Sequence, residues 1–135
     1  MKIVILGCGR VGARLASALS ASHHVTVIDW NASAFDRLGA SFTGETLAGN
    51  GIDIDVLRAG EVEKADIFLA LTDGDNRNLM AAQIADYLGV PKVLARVYDA
   101  ERSIIFEQSG LTTVSPTIYG AARLYNMVVR EREEV

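Results

Sequence analysis

The sequence predicts an α/β domain: a doubly wound parallel sheet of six strands in the order 3-2-1-4-5-6, followed by a C-terminal helix. Three observations carry that expectation. Strand formers up to Leu6 lead straight into glycines at 7, 9 and 12, and a helical pattern follows at once. A second strand-like run, His24-Val25-Thr26-Val27-Ile28-Asp29, ends in a carboxylate 22 residues after Gly7. From there onward, strand-like and helix-like runs keep alternating. Right-handed crossovers turn such an alternation into a parallel sheet with helices on both faces.

The first strand is the apolar run Ile3 to Leu6. Gly7 permits the tight turn off it, Gly9 lets backbone approach a phosphate, and Gly12 lets the next helix pack against the strand. In that helix Val11, Leu15 and Leu19 fall on one face, with Ala16 and Ala18 beside them. Its N-terminus offers free N–H groups and a partial positive charge to an anion. After the second strand, Trp30 to Leu38 reads as a short helix ending at Gly39, with Asn31 or Ser33 placed to cap it. Ser41 to Ala48 is a weaker strand, interrupted by Gly44. Gly49-Asn50-Gly51 is a turn, and Asp53 to Ala59 a short helix closed by Gly60.

Ala65 to Leu71 reads as a buried strand and Thr72 to Asp75 as a loop. Asn76 to Leu88 is a helix that offers Leu79, Ala82, Ile84 and Leu88 to its buried side. Val90 to Val97 is a strand that tolerates Pro91 near its start. Asp99 to Gln108 is a helix stopped by Gly110, Leu111 to Val114 a last strand, and Thr117 to Arg130 a last helix before the charged tail Glu131 to Val135. The resulting Rossmann-like sheet places a ligand crevice between strands 1 and 4, at their carboxyl ends. Asp29 stands where an acidic residue reaches a pair of ribose hydroxyls.

The 135 residues suit one domain, and half of them are hydrophobic, enough for a core. No run approaches the apolar length of a membrane span. Met1-Lys2 enters a strand directly, so no signal peptide is expected. A formal net charge of −4 and the lack of a basic run argue against nucleic acid as a partner. A single cysteine excludes an internal disulfide and fits a reducing cytosol. His23 and His24 have no metal-ligand spacing with other His or Cys, and no metal site is expected.

An ordered series of short motifs runs along nearly the whole chain. It comprises Gly7-Cys8-Gly9-Arg10-Val11-Gly12, Val27-Ile28-Asp29, and Gly49-Asn50-Gly51-Ile52-Asp53 with Val56-Leu57 and Ala59-Gly60. Ala65-Asp66, Ala70-Leu71-Thr72-Asp73, Asn78-Leu79, Ala95-Arg96-Val97, Phe106-Glu107, Gly110 and Val114-Ser115-Pro116 continue it. In this series the chain resembles the nucleotide-binding N-lobe (TrkA-N, or RCK-N) of the regulator-of-potassium-conductance family, the Trk/Ktr type of bacterial potassium-uptake regulator. The resemblance implies a cytosolic regulatory subunit that is not an enzyme. Such a subunit binds NAD(H), ATP, ADP or AMP. It assembles into dimers or rings, and gates a membrane potassium channel or transporter in response to the ligand. It would sit at the inner face of the membrane through that partner, without inserting itself.

Three departures stand out. Thr117 follows Pro116 where the family commonly has Glu, and His23 stands where it often has Gly. Full-length members usually carry a second, C-terminal lobe, whereas this sequence ends at Val135. Residues 1–116 are expected to bind nucleotide, and 117–135 to form a crossover or dimerisation helix.

The candidate nucleotide contacts are Gly7, Cys8, Gly9, Arg10, Val11 and Gly12 of the glycine loop, then Asp29, Trp30 and Asn31, then Asn50, Gly51 and Asp53, then Thr72, Asp73 and Asn76, and Arg96. Asp29 would accept both ribose hydroxyls and repel a 2′-phosphate, which disfavours NADP. Arg10 is placed to pair with a terminal phosphate. Trp30 and Asn31 would edge the adenosine. Amide and carboxylate edges on Asn50 and Asp53 suit adenine, and turn formation explains them as well. Thr72, Asp73 and Asn76 would line the crevice, although helix capping accounts equally for Asp73 or Asp75. Arg96 ends the fifth strand within reach of phosphate. Cys8 reads as a small filler of the loop rather than a redox sensor.

The alternative class is an NAD-dependent oxidoreductase fragment. It needs a substrate domain and a proton-transfer residue, and six strands consume the chain. None of the four tyrosines is followed by Lys four positions later. A redox-sensing transcription factor would need a DNA-reading module, and none is found. The last helix carries Ile118, Ala121, Ala122, Leu124, Tyr125, Met127, Val128 and Val129, too many apolar groups for one covered face. Ile118, Ala121, Ala122 and Tyr125 are expected on its own sheet. Leu124, Met127 and Val128 are then left for a partner subunit in a symmetric homodimer.

Overall fold

The computed structural model describes residues 1–133. Its strands are β1 (Lys2–Leu6), β2 (His24–Asp29), β3 (Glu45–Ala48), β4 (Ile67–Ala70), β5 (Lys92–Arg96) and β6 (Thr112–Val114). The α-helices are α1 (Arg10–Leu19), α2 (Ile54–Ala59), α3 (Asp75–Tyr87), α4 (Ala100–Gln108) and α5 (Pro116–Glu133), with 3-10 turns at Ala32–Arg37 and Val62–Lys64. The strands form one sheet in the expected order, β3-β2-β1-β4-β5-β6, and every pairing is parallel.

Strand alternation divides the core between the two faces. Val4 and Leu6 of β1 join Phe68, Leu57, Ala81, Ala82 and Ala85 in one cluster. Ile3 and Ile5 join Val25, Val27, Ala13 and Ala16 in the other. Both faces of β1 are covered, so Ile3 to Leu6 form an unbroken apolar run.

The helix α1 is seated differently from its apolar pattern. Gly12, Ala13 and Ala16 are its buried residues, Leu15 and Leu19 are half-buried, and Val11 is 51% exposed. The helix passes so close to the preceding turn that a Cβ on Gly12 would collide with the Gly7 carbonyl oxygen. Small residues therefore form the contact, and Val11 lies outside it. In α3 the buried set includes Asn78 beside Leu79, Ala81, Ala82 and Ala85, while Ile84 and Leu88 are only half-buried. The strand β3 begins at Glu45 rather than Ser41, because the chain crosses β2 at Gly44, where a Cβ would strike the Val25 carbonyl oxygen.

His23 avoids the left-handed conformation that a glycine there would suggest. Its N–H donates to Leu19 O at 2.9 Å, and among the described residues Glu61 is the one non-glycine with positive φ, at 62°.

The largest departure is α5. Ile118, Ala121, Ala122 and Tyr125, expected on the sheet, are exposed, as are Leu124 and Val128. The edge strand β6 has only three residues, and α4 already packs on it through Ser103 and Thr113. The helix leaves the sheet at Pro116, fastened at its start by Ile118 N–H on Ser115 Oγ and Tyr119 N–H on Ser115 O. Its helical turns continue through the expected tail as far as Glu133; Glu134 and Val135 lie outside the described residues. No helix among the described residues is long and apolar enough to cross a membrane.

Candidate functional site

A cleft of about 580 Å³ opens at the carboxyl ends of β1 and β4, where the strand order reverses. That switch point is where open α/β sheets bind ligands. The β1–α1 turn supplies Gly7, Cys8 and Gly9; the end of β2 supplies Asp29, Trp30 and Asn31. Ala34 and Arg37 come from the 3-10 turn after β2, and Asn50, Gly51 and Ile52 from the loop after β3. Leu71, Thr72 and Asp73 follow β4, Arg77 comes from α3, and Arg96 ends β5.

Gly7 has φ +106°, and its N–H donates to Ile28 O at 2.8 Å. This turn conformation is costly for any residue with a Cβ. Gly9 caps α1 without a side-chain hydrogen bond. The first N–H groups of the helix are thus left without a side-chain acceptor, as an anion site requires.

Both oxygens of Asp29 are engaged. Cys8 N–H donates to Oδ2 at 2.8 Å and Asn31 N–H to Oδ1 at 2.9 Å. An ionised carboxylate has about four acceptor positions, so lone pairs remain for a ligand's hydroxyl groups. The Cys8 side chain is fully buried. Burial pushes its thiol pKa up, Asp29 adds to this, and Arg37 opposes it. Such a thiol is a packing group rather than a nucleophile.

On the β4 side, Asn78 uses its entire amide. Its Oδ1 accepts from Thr72 N–H at 2.9 Å and from Thr72 Oγ1 at 2.6 Å. Its Nδ2 donates to Thr72 O and Arg96 O, each at 2.9 Å. Arg96 Nη2 donates to Leu71 O at 2.7 Å and Thr72 O at 2.8 Å, and the guanidinium lies 5.0 Å from the Tyr98 ring centroid. The loop after β4 is thereby stapled to α3 and β5.

Eleven of the residues singled out in the sequence meet in this cleft: Gly7, Cys8, Gly9, Asp29, Trp30, Asn31, Asn50, Gly51, Thr72, Asp73 and Arg96. Five do not line it. Arg10 and Val11 are exposed on α1, and Gly12 is buried behind the turn. Asp53 caps α2, its Oδ1 accepting from Asp55 N–H at 2.9 Å. Asn76 faces α4, its Oδ1 accepting from Arg102 Nη1 at 2.8 Å. Asp75 caps nothing on its own helix; its two oxygens accept the N–H groups of Tyr98 and Asp99.

Arg37 and Arg77 are the charged lining residues that sequence reasoning missed. Arg77 directly follows Asn76 in the first turn of α3, and a search of that whole turn would have included it. Arg37 reaches back from its turn to donate to Cys8 O at 3.3 Å, a contact with no sequence signal. Among the described residues no group of three or more His, Cys, Asp or Glu is placed to hold a metal.

The family model described as the TrkA-N domain matches residues 3–116. The Trk system potassium uptake protein TrkA of Streptomyces coelicolor is 44% identical over 126 residues, covering 92% of this chain and 56% of that protein. A TrkA homolog of Methanothermobacter thermautotrophicus is 31% identical over 134 residues, 98% of this chain and 62% of that protein. The chain thus spans 56% and 62% of the length of these relatives. Among solved structures, the Shewanella denitrificans Kef CTD in AMP-bound form aligns with a TM-score of 0.77 at 18% identity, covering 96% of this chain and 80% of that one. The GsuK channel bound to NAD aligns with a TM-score of 0.70 at 22% identity, covering 85% and 21%. At these identities the likeness to the solved structures is one of fold.

Proposed function

The chain belongs to the TrkA-N domain family, and from that membership we propose that it is a nucleotide-binding regulatory module of a potassium channel or transporter. The ligand is NAD(H) or an adenine nucleotide, bound with its ribose on Asp29 and its phosphates over Gly7, Cys8 and Gly9. Residues 1–116 bind it, and the helix that begins at Pro116 joins two copies into a dimer. The module works at the cytoplasmic face of the membrane through its transport partner, and ligand exchange alters the assembly and hence the gate.

The observation that carries this reading is the cleft at the switch point with Asp29 beside an uncapped helix start. The names of the relatives, Trk potassium uptake proteins, supply the transport context. The bound AMP and NAD in two structures of similar fold suggest the ligand class. An oxidoreductase has less to draw on. His23 and His24 lie at the amino-terminal ends of the strands, away from this cleft, and Cys8 is buried with a raised pKa.

Competitive calorimetry with NAD, NADH, ATP, ADP and AMP tests the reading. Saturable binding of at least one, lost in Asp29→Ala, is expected. A folded chain that binds none of them overturns it, and turnover of NADH with a substrate would move the protein to the oxidoreductase class.

A further inference from the structure

Three guanidinium groups line the cleft: Arg37, Arg77 and Arg96. Two of them are committed to backbone. Arg96 holds the carbonyls of Leu71 and Thr72, and Arg37 holds the carbonyl of Cys8. Arg77 differs. Among the described residues its hydrogen-bond partner is Asp73, with Nη2 to Oδ1 at 3.1 Å, and the Asp73 side chain is 89% exposed. An ion pair this open to water is weak and readily exchanged.

Gly74 leaves room for the Arg77 guanidinium. A Cβ built on Gly74 would lie 2.9 Å from Arg77 Nε and 3.2 Å from Nη2. The guanidinium therefore lies folded over the glycine, against the entrance of the loop that follows β4. The backbone of Gly74 is ordinary extended chain, with φ −108° and ψ 117°. Any residue adopts that conformation, so what the glycine supplies is the space that Arg77 fills.

The path of a ligand brings phosphate to this point. A ribose on Asp29 puts the first phosphates over the glycine turn, at the start of α1. That turn touches the β4 loop: a Cβ on Gly7 would meet Leu71 C, Leu71 O and Thr72 N, each at 2.8 Å. Phosphates extending past the turn reach the wall that carries Thr72, Asp73 and Arg77. Arg10, the residue the sequence suggested for this task, is exposed outside the cleft.

Building on the nucleotide reading, we propose that Arg77 is the specificity-determining residue for the outer phosphates, exchanging Asp73 for the terminal phosphate of a nucleoside di- or triphosphate. Its planar fork suits bidentate contact with phosphate oxygens, which a lysine's point charge does not reproduce. The cleft thereby distinguishes ATP and ADP from AMP on its β4 side, while Asp29 holds the part common to all three.

The test is calorimetry of the whole chain with ATP, ADP and AMP in the presence of a chelator. Arg77→Gln should lower the ATP-to-AMP affinity ratio by about tenfold, the effect of losing a charge-assisted contact, with AMP affinity within about twofold of the parent. Gly74→Ala, which leaves the arginine in the sequence but removes its space, should lower the ratio in the same direction. An Arg77→Gln protein with the parental ratio, or one that loses ATP and AMP equally, overturns the proposal, as does a parent that binds ATP and AMP alike. In each of those outcomes the parent still binds nucleotide, so they are distinct from failure of the nucleotide reading, in which the parent binds none. Thermal melting of each variant separates loss of contact from loss of fold.

Discussion

The backbone N–H of Cys8 donates to Asp29 Oδ2 at 2.8 Å, and this bond ties the glycine turn to the end of β2. One carboxylate thus shapes the loop and remains able to accept from a ligand. The two roles separate experimentally. Asp29→Ala should weaken nucleotide binding by about 1.5–3 kcal/mol, the range for hydrogen bonds to a charged group. It should also lower stability by about 1 kcal/mol, because Cys8 and Asn31 lose their acceptors. Calorimetry reads the first loss and urea unfolding the second. A folded variant with parental affinity would remove Asp29 from the site.

Asn78→Ala should destabilise the domain by about 2–4 kcal/mol, since a fully buried amide that satisfies two donors and two acceptors is removed. The groups left behind belong to Thr72 and Arg96, so the cleft wall should loosen as well. Urea unfolding measures the stability, and amide exchange at Thr72 reports the wall. A loss below about 0.5 kcal/mol, the level of an ordinary surface substitution, would contradict the staple.

The contrast between these two residues explains what the sequence made legible. Asp29 was readable because its meaning is local: an acid at the end of a strand, at fixed distance from a glycine loop. The strand order was readable for a similar reason, since strands alternating with helices admit few topologies. Asn78 was not readable as a staple, because its partners come from the loop after β4 and the end of β5. Pattern marks a polar residue on a helix as solvent-facing unless something far along the chain claims it. Arg37 was missed for the same reason; Arg77, whose ion-pair partner Asp73 is local, was passed over beside Asn76, and Arg10 was favoured because it stands inside the glycine motif. In α1 the apolar pattern pointed to Val11, whereas close approach at Gly12 selected the small residues.

Alkaline pH should expose the burial of Cys8. Its folded pKa is raised, chiefly by burial, so the folded state favours the protonated thiol. The stability this contributes is fully present below the unfolded thiol's pKa and is lost as pH rises through the raised folded value. Unfolding free energy should therefore fall on the alkaline side, and Cys8→Ala should show a shallower fall. At neutral pH the native thiol should react with a thiol reagent only as fast as the domain opens. Rapid labelling of the folded protein would contradict the buried, protonated state. Glu61 has the opposite sign. Its hydrogen bond with Lys2 holds its pKa below the usual carboxylate range, so the contribution of that pair is present at neutral pH and lost as acid protonates Glu61.

The last prediction concerns α5, whose exposed apolar groups exceed what a surface helix carries. Leu124, Tyr125 and Val128 are 64%, 68% and 69% exposed, and Ile118 and Tyr119 add to the surface at its start. Leu124 and Val128 stand four residues apart, on one stripe of the helix, with Tyr125 adjoining. The expectation that part of this helix would cover its own sheet fails, and the area available to a partner grows accordingly. A contiguous apolar stripe left in water marks an interface, and a second copy of the same helix matches it by two-fold symmetry. Replacing Leu124 and Val128 together with Glu should therefore yield a monomer that stays folded, since both side chains are largely exposed on their own domain. Truncation after Pro116 should do the same and leave a monomer that still binds nucleotide. Sedimentation at tens of micromolar protein decides the matter. The parent should run as a dimer and both altered chains as monomers, whereas a parent that is a single monomeric species, with or without nucleotide, would exclude the helix as a dimer contact.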